Sequence, residues 1–572
     1  MRLGLGLGLS QFMTGTSTAA LSLSFVSGSI DSRITFTRAS LATMYDSTGK
    51  LTYAPNNLVT HSNDFSNIAW TKDQTGSITT TGLSDPLGGV TASTFTAGAS
   101  GGRLYQNANG PAANYVNSIW LKRRTGTGQV NIFMATGAST NVTITSSWAQ
   151  YTFSGSASAG ISFVGVGLAV NGDAVDVAFS QFEAVTYETT PRTYNATVAS
   201  AYHGARLDHN PSTLAPLGLL IEEARTNVLT RSAEFSHADW GNNNLTITAN
   251  AVNGLDGIAS AELCVPTATS AGHFISATTA YTVPSAGSYQ WSIYVKAAGY
   301  SKVGLRENGA TGAYASFNLA TGTVIDSGNA GTHTITNPSI TSVGNGWYRL
   351  SMTLTTAGAS SITFALWIID PTYVTGTFVS NWIGDTTSGV YVWGAQLEAG
   401  AFATSYIPTV AATVTRAADA ASMTGVNFSS WYAATGGTFV VDYTLVGSTA
   451  ASSYPLGLSD SAALTHFYGP TALNINAYNN FNSSVGSFDT NTIAASTPLK
   501  LAVAFAANDR AISKNGAIVV SSAAAWAVPA VLRLDIGDLG GTGAYRVGLM
   551  HMHSIQYHNS RKTNAELVTL ST

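Results

Sequence analysis

Few residues in this chain have the types and spacing that chemistry needs. His551, Met552 and His553 lie together, with His558 nearby. In a strand, His551 and His553 would share a face and could reach one metal ion. No carboxylate sits beside them in sequence, so two surface histidines and no bound metal or other cofactor are expected. Gly98-Ala99-Ser100-Gly101-Gly102 matches the G-x-S-x-G spacing of a nucleophile elbow. That elbow needs a helix after the serine. Arg103 to Asn107, and then Asn109-Gly110-Pro111, do not supply one. A glycosidase needs two carboxylates flanking a sugar. Glu222 and Glu223 are adjacent and would face opposite sides of a strand. No H-E-x-x-H, phosphate-binding loop or paired-cysteine motif is present, so the chain is not expected to be an enzyme.

Aromatic rings are the better candidates, since pyranose faces stack on flat rings. The chain holds 11 Trp, 24 Tyr and 22 Phe, so a criterion is needed to choose among them. Rings in Gly- or Asn-rich polar surroundings are preferred. They are Tyr300, Tyr314, Tyr373 and Trp382, and further along Tyr468, Tyr478 and Phe481 with Asn479 beside them. Amide groups add the hydrogen bonds that orient a ligand.

Elements must position these side chains, and composition limits which elements they are. Only 9% of the 572 residues are charged, against about 25% in ordinary globular domains. Solvent-exposed helices need Glu, Lys and Arg on their outer face. Here Ser, Thr, Asn and Gly must cover the surface, and 57 Gly with 15 Pro supply turns. The 45% apolar fraction excludes global disorder. An all-β chain of antiparallel sandwiches is the expected fold class. Net charge is −4, which leaves no basic footprint for nucleic acid. The densest basic cluster, Lys122-Arg123-Arg124, reads as a solvated strand end. Cys264 is the sole cysteine, so no intrachain disulfide forms. No apolar run is long enough for a transmembrane helix, so no membrane insertion is expected. Leu3, Leu5, Leu7 and Leu9 alternate with glycines rather than forming the apolar core of a signal peptide. In a strand they make one apolar face that docks on something larger.

The chain is internally duplicated. Asn57-Leu-Val-Thr-His-Ser-Asn-Asp-Phe-Ser-Asn-Ile-Ala-Trp70 aligns without gaps to Asn227-Val-Leu-Thr-Arg-Ser-Ala-Glu-Phe-Ser-His-Ala-Asp-Trp240. Three further landmarks follow in the same order. Ser118 to Lys122 matches Ser292 to Lys296, Trp148 to Tyr151 matches Trp347 to Leu350, and Gln181 to Ala184 matches Gln396 to Ala399. Repeated aromatics (Phe65/Phe235, Trp70/Trp240, Trp148/Trp347) are expected in the core. Glu183 and Glu398 occupy equivalent positions. Each either hydrogen-bonds a turn or holds a structural calcium. Alternating apolar residues and Gly-rich turns fit two jelly-roll-like modules. A third unit begins near residue 413, with Asn515-Gly516 as a two-residue hairpin signal and a helical turn from Asn564. The expected division is 1–56 N-terminal segment and connector, 57–194 module 1, 195–226 connector, 227–412 module 2, and 413–572 C-terminal domain.

Three stretches carry a family resemblance: ITFTRASLATMYDSTGKLTYAPNNL (34–58), GLLIEEARTNVL (218–229), and VYVWGAQLEAGAFATSYIPT (390–409) followed by VTRAADAAS (414–422). With these, the chain resembles tailed-bacteriophage and prophage fibre-type virion proteins. Its C-terminal unit resembles a concanavalin A-like (laminin G-type) sandwich, and its repeats resemble carbohydrate-binding modules. The resemblance implies an external appendage of a virion, commonly a homotrimer. It implies attachment to other virion proteins through the N-terminus, hence through Leu3, Leu5, Leu7 and Leu9. It also implies adhesion to a host surface polysaccharide through the aromatic residues named above. A purely structural head-fibre, collar or decoration protein and a polysaccharide depolymerase are the alternatives.

Overall fold

The computed structural model describes residues 19–572 except 135–137, 310–311, 377, 379–380, 448–453, 461–465, 472–473, 480–482, 490–495, 518–519, 524, 526, 529, 539–540 and 542–546. Among the described residues the fold is antiparallel β throughout, with two short helices. No helix there is long and apolar enough to cross a membrane. The described residues form two compact units, 36–420, and 421–572 together with 19–35.

The larger unit contains both repeats as β-sandwiches. In module 1 one five-stranded sheet is built on Ala113–Thr125 and Ala174–Val185. The facing sheet is built on Gly102–Gly110, Gly160–Leu168 and Val130–Met134. Phe65, Trp70, Phe95, Leu104, Ile119 and Val166 fill the space between. Module 2 packs two six-stranded sheets around Phe235, Trp240, Trp291, Leu305, Leu350 and Leu366. Cys264 is buried in the same core.

The duplication extends to single hydrogen bonds. Ser118 pairs with Gln181, and the register then slips by one residue. Ser292 pairs with Gln396, and the register slips at the same place. Such a bulge needs an unusual backbone. Gly394 supplies it with φ 62° in module 2, whereas Phe179 adopts φ 50° in module 1. Trp70 and Trp240 each lie 4.9 Å from their repeat's Phe and donate through Nε1 to the carbonyls of His61 and Arg231. Those two residues share positive φ, 46° and 50°. Asn57 and Asn227 are fully buried and make the same four bonds. Asn57 donates to the carbonyls of Ser180 and Asn195 and accepts from the N–H of Val59 and Phe182. Asn227 donates to Ala395 and Ile407 and accepts from Leu229 and Leu397.

The described residues just before module 1 pack with the modules. Residues 36–56 belong to the larger unit. Its hairpin, Thr43–Tyr45 with Leu51–Tyr53, carries Tyr45 and Leu51 onto Tyr294, Trp347, Trp393 and Tyr406 of module 2. Thr52 donates to Glu188 of module 1 at 2.8 Å. The hairpin therefore covers an aromatic sheet face that would otherwise meet water, which is why it packs with the modules.

The stretches at 34–58, 218–229 and 414–422 meet in a buried ion cluster. Arg206 bridges Glu222 and Asp419, Arg38 bonds Asp419 at 2.9 Å, and Arg416 approaches Glu222 at 3.4 Å. Burial alone would raise the carboxyl of Glu222. Arg206, Arg416 and the Ser405 bonds outweigh it and hold the group far below the usual carboxylate range. Asp419 is likewise lowered, with Arg206 and Arg38 overcoming its burial.

In the smaller unit, Leu21–Ser24 pairs antiparallel with Leu549–His558, in a sheet that continues through Gly436–Gly447, Thr497–Ala506 and Asp509–Lys514. The described residues before Phe36 thus complete a sandwich with residues 421–572 rather than standing apart. Leu3, Leu5, Leu7 and Leu9 lie outside the described residues. Asn515 and Gly516 both have positive φ, as a tight hairpin turn requires. The final helix, Asn564–Leu570, starts at a Thr563–Glu566 capping box.

Candidate functional site

The outward face of one module 2 sheet carries more aromatic surface than a solvated face needs. Phe274 pairs with Trp367, Trp367 with Gly304, Gly304 with Ser316, and Ser316 with Asp326. Directly paired residues share a face. The next row outward adds Ala365, Arg306 and Tyr314. The intervening residues Ile275, Leu366, Val303, Leu305 and Phe317 point into the core. The outward rings form a second apolar cluster of Tyr314, Ala365, Trp367, Ile369 and Phe378, with Phe274 and Tyr373 packed on it.

Gly304 makes that cluster possible. The Phe378 ring occupies the place where a Cβ on residue 304 would stand. From there it meets Tyr314 edge-on at 5.0 Å and Trp367 at 6.0 Å. Residues 370–376 are fastened over the upper part of the face. Lys302 donates to the carbonyls of Pro371 and Tyr373, both at 2.6 Å. Asp326 accepts from Thr375 and Gly376, both at 2.8 Å, and these bonds lower its carboxyl below the usual range. Burial, with Asp326 and Tyr373 nearby, pushes the Tyr314 hydroxyl up to about 12. The lower part of the face remains accessible. Phe274 stacks on Trp367 at 4.3 Å and stays half-exposed. Arg306 lies 5.7 Å over the same indole and donates to Asn308 at 2.6 Å. Asn308 also accepts from Trp367 Nε1 at 3.1 Å. A phenyl face, a guanidinium and a carboxamide therefore converge at one edge, where a ring could stack and hydroxyls could be paired.

The residues expected from sequence fare unequally. Tyr373 belongs to this face, but its hydroxyl donates to Gly376 and its ring meets Phe378 edge-on at 6.1 Å. Tyr300 and Trp382 do not lie on a surface: they are only 9% and 8% exposed and meet edge to face at 5.1 Å in the sandwich core. The polar residues around Trp382 belong to a loop that folds back, where Ala271 and Trp382 bridge and His273 bonds the Trp382 carbonyl at 3.0 Å. Their ring faces are occupied by protein. Tyr468 pairs with Ala477, Tyr478 with Phe467, and Asn479 with His466, and only the backbone is described there. Phe481 lies outside the described residues. Sequence reading passed over Phe274, Trp367 and Arg306. Their spacing-by-two partners in Lys302–Glu307 and Phe364–Ile368 held the signal.

The remaining candidates are structural. Glu183 binds the backbone and side chain of Arg192, and Glu398 binds Thr404 and Gln396. Both fasten the turn after their strand. Glu222 is in the ion cluster and Glu223 pairs with Arg225. The loop around Ser100 leads into strand Gly102–Gly110 rather than a helix. His553 bonds Asp442, on the neighbouring strand, at 2.9 Å. Among the described residues no three His, Cys, Asp or Glu side chains are grouped to hold a metal.

No protein-family profile matches the chain, and no curated protein does. Among solved structures, it is similar to the N-terminal CBM22-1-CBM22-2 tandem domain from Paenibacillus barcinonensis Xyn10C. That match has 11% identity and a TM-score of 0.20, covering 61% of this chain and 98% of that one. It is also similar to Trypanosoma rangeli sialidase at 10% identity and a TM-score of 0.22, covering 96% of each chain. Scores this low leave the reading of the site to its own geometry.

Proposed function

We propose that this protein is a virion adhesin that binds a polysaccharide on the surface of a bacterial host. The observation that carries the binding is the partly exposed Phe274, stacked on the buried Trp367, with Arg306 and Asn308 beside it at the edge of an outward sheet face. An outward sheet face is normally polar, so an accessible phenyl ring beside a guanidinium and a carboxamide there supports an interaction site. The virion setting rests on the resemblance of residues 34–58, 218–229, 390–409 and 414–422 to fibre-type proteins. In that setting the protein is a homotrimer attached through its N-terminus, and repetition of weak sites turns single contacts into avidity. The test is a glycan array probed with the full-length protein, alongside Phe274→Ala and Arg306→Ala. Saturable binding that both substitutions weaken supports the proposal. Binding that neither changes removes this edge as its basis.

A further inference from the structure

Among the described residues, no strap like that of module 2 lies over the corresponding sheet face of module 1. Strand Gly102–Gly110 buries Leu104, Gln106 and Ala108 and turns Arg103, Tyr105, Asn107 and Asn109 outward. Across the sheet Tyr105 pairs with Gly165, Gly165 with Phe133, and Phe133 with Ser139. One row along, Arg103, Gly167, Asn131 and Asn141 pair in the same order, and on the other side Phe163 pairs with Asn107. Two residues without side chains therefore run down the middle of the face. Aromatic and amide side chains wall them on both sides. Tyr105 lies 6.5 Å from Phe133 and 5.6 Å from Phe163, with the rings tilted or edge-on. Phe163 is 41% exposed, large for a phenylalanine.

Two further observations indicate a ligand and its chemistry. The Asn131 side chain lies over Gly167, and its Oδ1 is buried without a hydrogen-bond partner. A buried acceptor left unpaired costs free energy, and an outward turn of the Asn131 amide would let a sugar hydroxyl recover it. Among the described residues of these rows the one charge is Arg103, and Asp73 neutralises it at 2.7 Å. An uncharged wall of amides and hydroxyls offers nothing to a polyphosphate.

We infer that this trough is a second saccharide site, which takes a neutral glycan chain lying along Gly165 and Gly167. Tyr105 and Phe163 receive the C–H faces of the sugar rings, and the buried Phe133 ring backs Tyr105. Asn107, Asn131, Asn141 and Ser139 pair its hydroxyls. The inference shares its ligand class with the proposed function but stands on separate residues.

The test is the full-length protein on an array of neutral hexose and N-acetylhexosamine polysaccharides, followed by calorimetric titration with the strongest binder. Phe163→Ala and Asn107→Ala change exposed side chains and leave the core intact, and Tyr105→Ala probes the wall directly. Loss of a ring contact worth about 1 kcal/mol predicts roughly five- to tenfold weaker binding for Tyr105→Ala and Phe163→Ala. It also predicts one titrated site fewer per chain when both rings are removed. Unchanged affinity and site number in the Tyr105→Ala/Phe163→Ala double variant overturn the module 1 site, while Phe274→Ala reports separately on module 2. No binding of any array glycan by the unaltered protein overturns both.

Discussion

Replacing Asn57 or Asn227 with alanine should loosen one repeat and spare the other. Each side chain is buried and holds two backbone N–H groups and two carbonyls that have no water to turn to. At about 1 kcal/mol net for each bond, four lost bonds cost about 3–5 kcal/mol. A chain with several sandwiches does not unfold in one step, so a global midpoint would blur the effect. Native-state hydrogen exchange read by peptide mass spectrometry resolves it. For Asn57→Ala, exchange should accelerate by about two to three and a half decades in peptides spanning 57–62, 180–185 and 195–198. For Asn227→Ala the affected peptides are 227–232, 395–399 and 405–409. The two losses should agree within about 1 kcal/mol, because the bonds are the same. A loss below about 1 kcal/mol in either variant, or a shift confined to the other repeat, would refute the reasoning.

Four further outcomes follow from the buried groups and the strained backbone. Asp419→Ala leaves Arg38 without a counter-charge and Arg206 with Glu222 alone, and should cost about 3–5 kcal/mol by denaturant unfolding of the transition that includes residues 36–420. Because the folded-state carboxyls of Glu222 and Asp419 lie below their unfolded values, their contribution is complete above about pH 5. It declines as pH falls further, and a midpoint series from pH 6 to pH 2 should show wild type losing stability that the Asp419 variant already lacks. Asp256 is opposite in sign: burial, only partly offset by Ser260, pushes its carboxyl up to about 6. Its protonated form is favoured in the folded state, so that stability is present below about pH 4 and lost as pH rises through 6, and Asp256→Asn should raise the thermal midpoint at pH 7.5 but not at pH 4. Gly394→Ala should destabilise module 2 by about 1–3 kcal/mol, read by the same exchange experiment. The residue holds φ 62° and a Cβ there would press on Tyr294 at 2.8 Å.

Much of the fold was legible because it rests on short-range patterns. Scarcity of charge pointed to sheets, and the duplicated landmarks marked real strand positions. Ser118/Ser292 and Gln181/Gln396 meet in the same register, and Phe65/Trp70 and Phe235/Trp240 pack in the same way. The three resemblance stretches were legible as motifs but not as a cluster. Arg38, Arg206, Glu222, Arg416 and Asp419 are up to 381 residues apart, and only the tertiary fold joins them. The binding faces were harder to read. Polar surroundings selected Tyr300 and Trp382, but those neighbours belong to a loop that folds their rings inward. The outward series Arg103, Tyr105, Asn107 and Asn109 was in view at a spacing of two. It becomes a trough only when Gly165 and Gly167 are placed beside it by sheet pairing.

Titration of the full-length protein with purified host surface polysaccharide tests the central claim most directly. The account predicts saturable binding that falls when Phe274 is replaced, falls when Tyr105 and Phe163 are replaced, and disappears when all three are. Absence of binding at high protein valency, or binding that the triple variant retains in full, would contradict it.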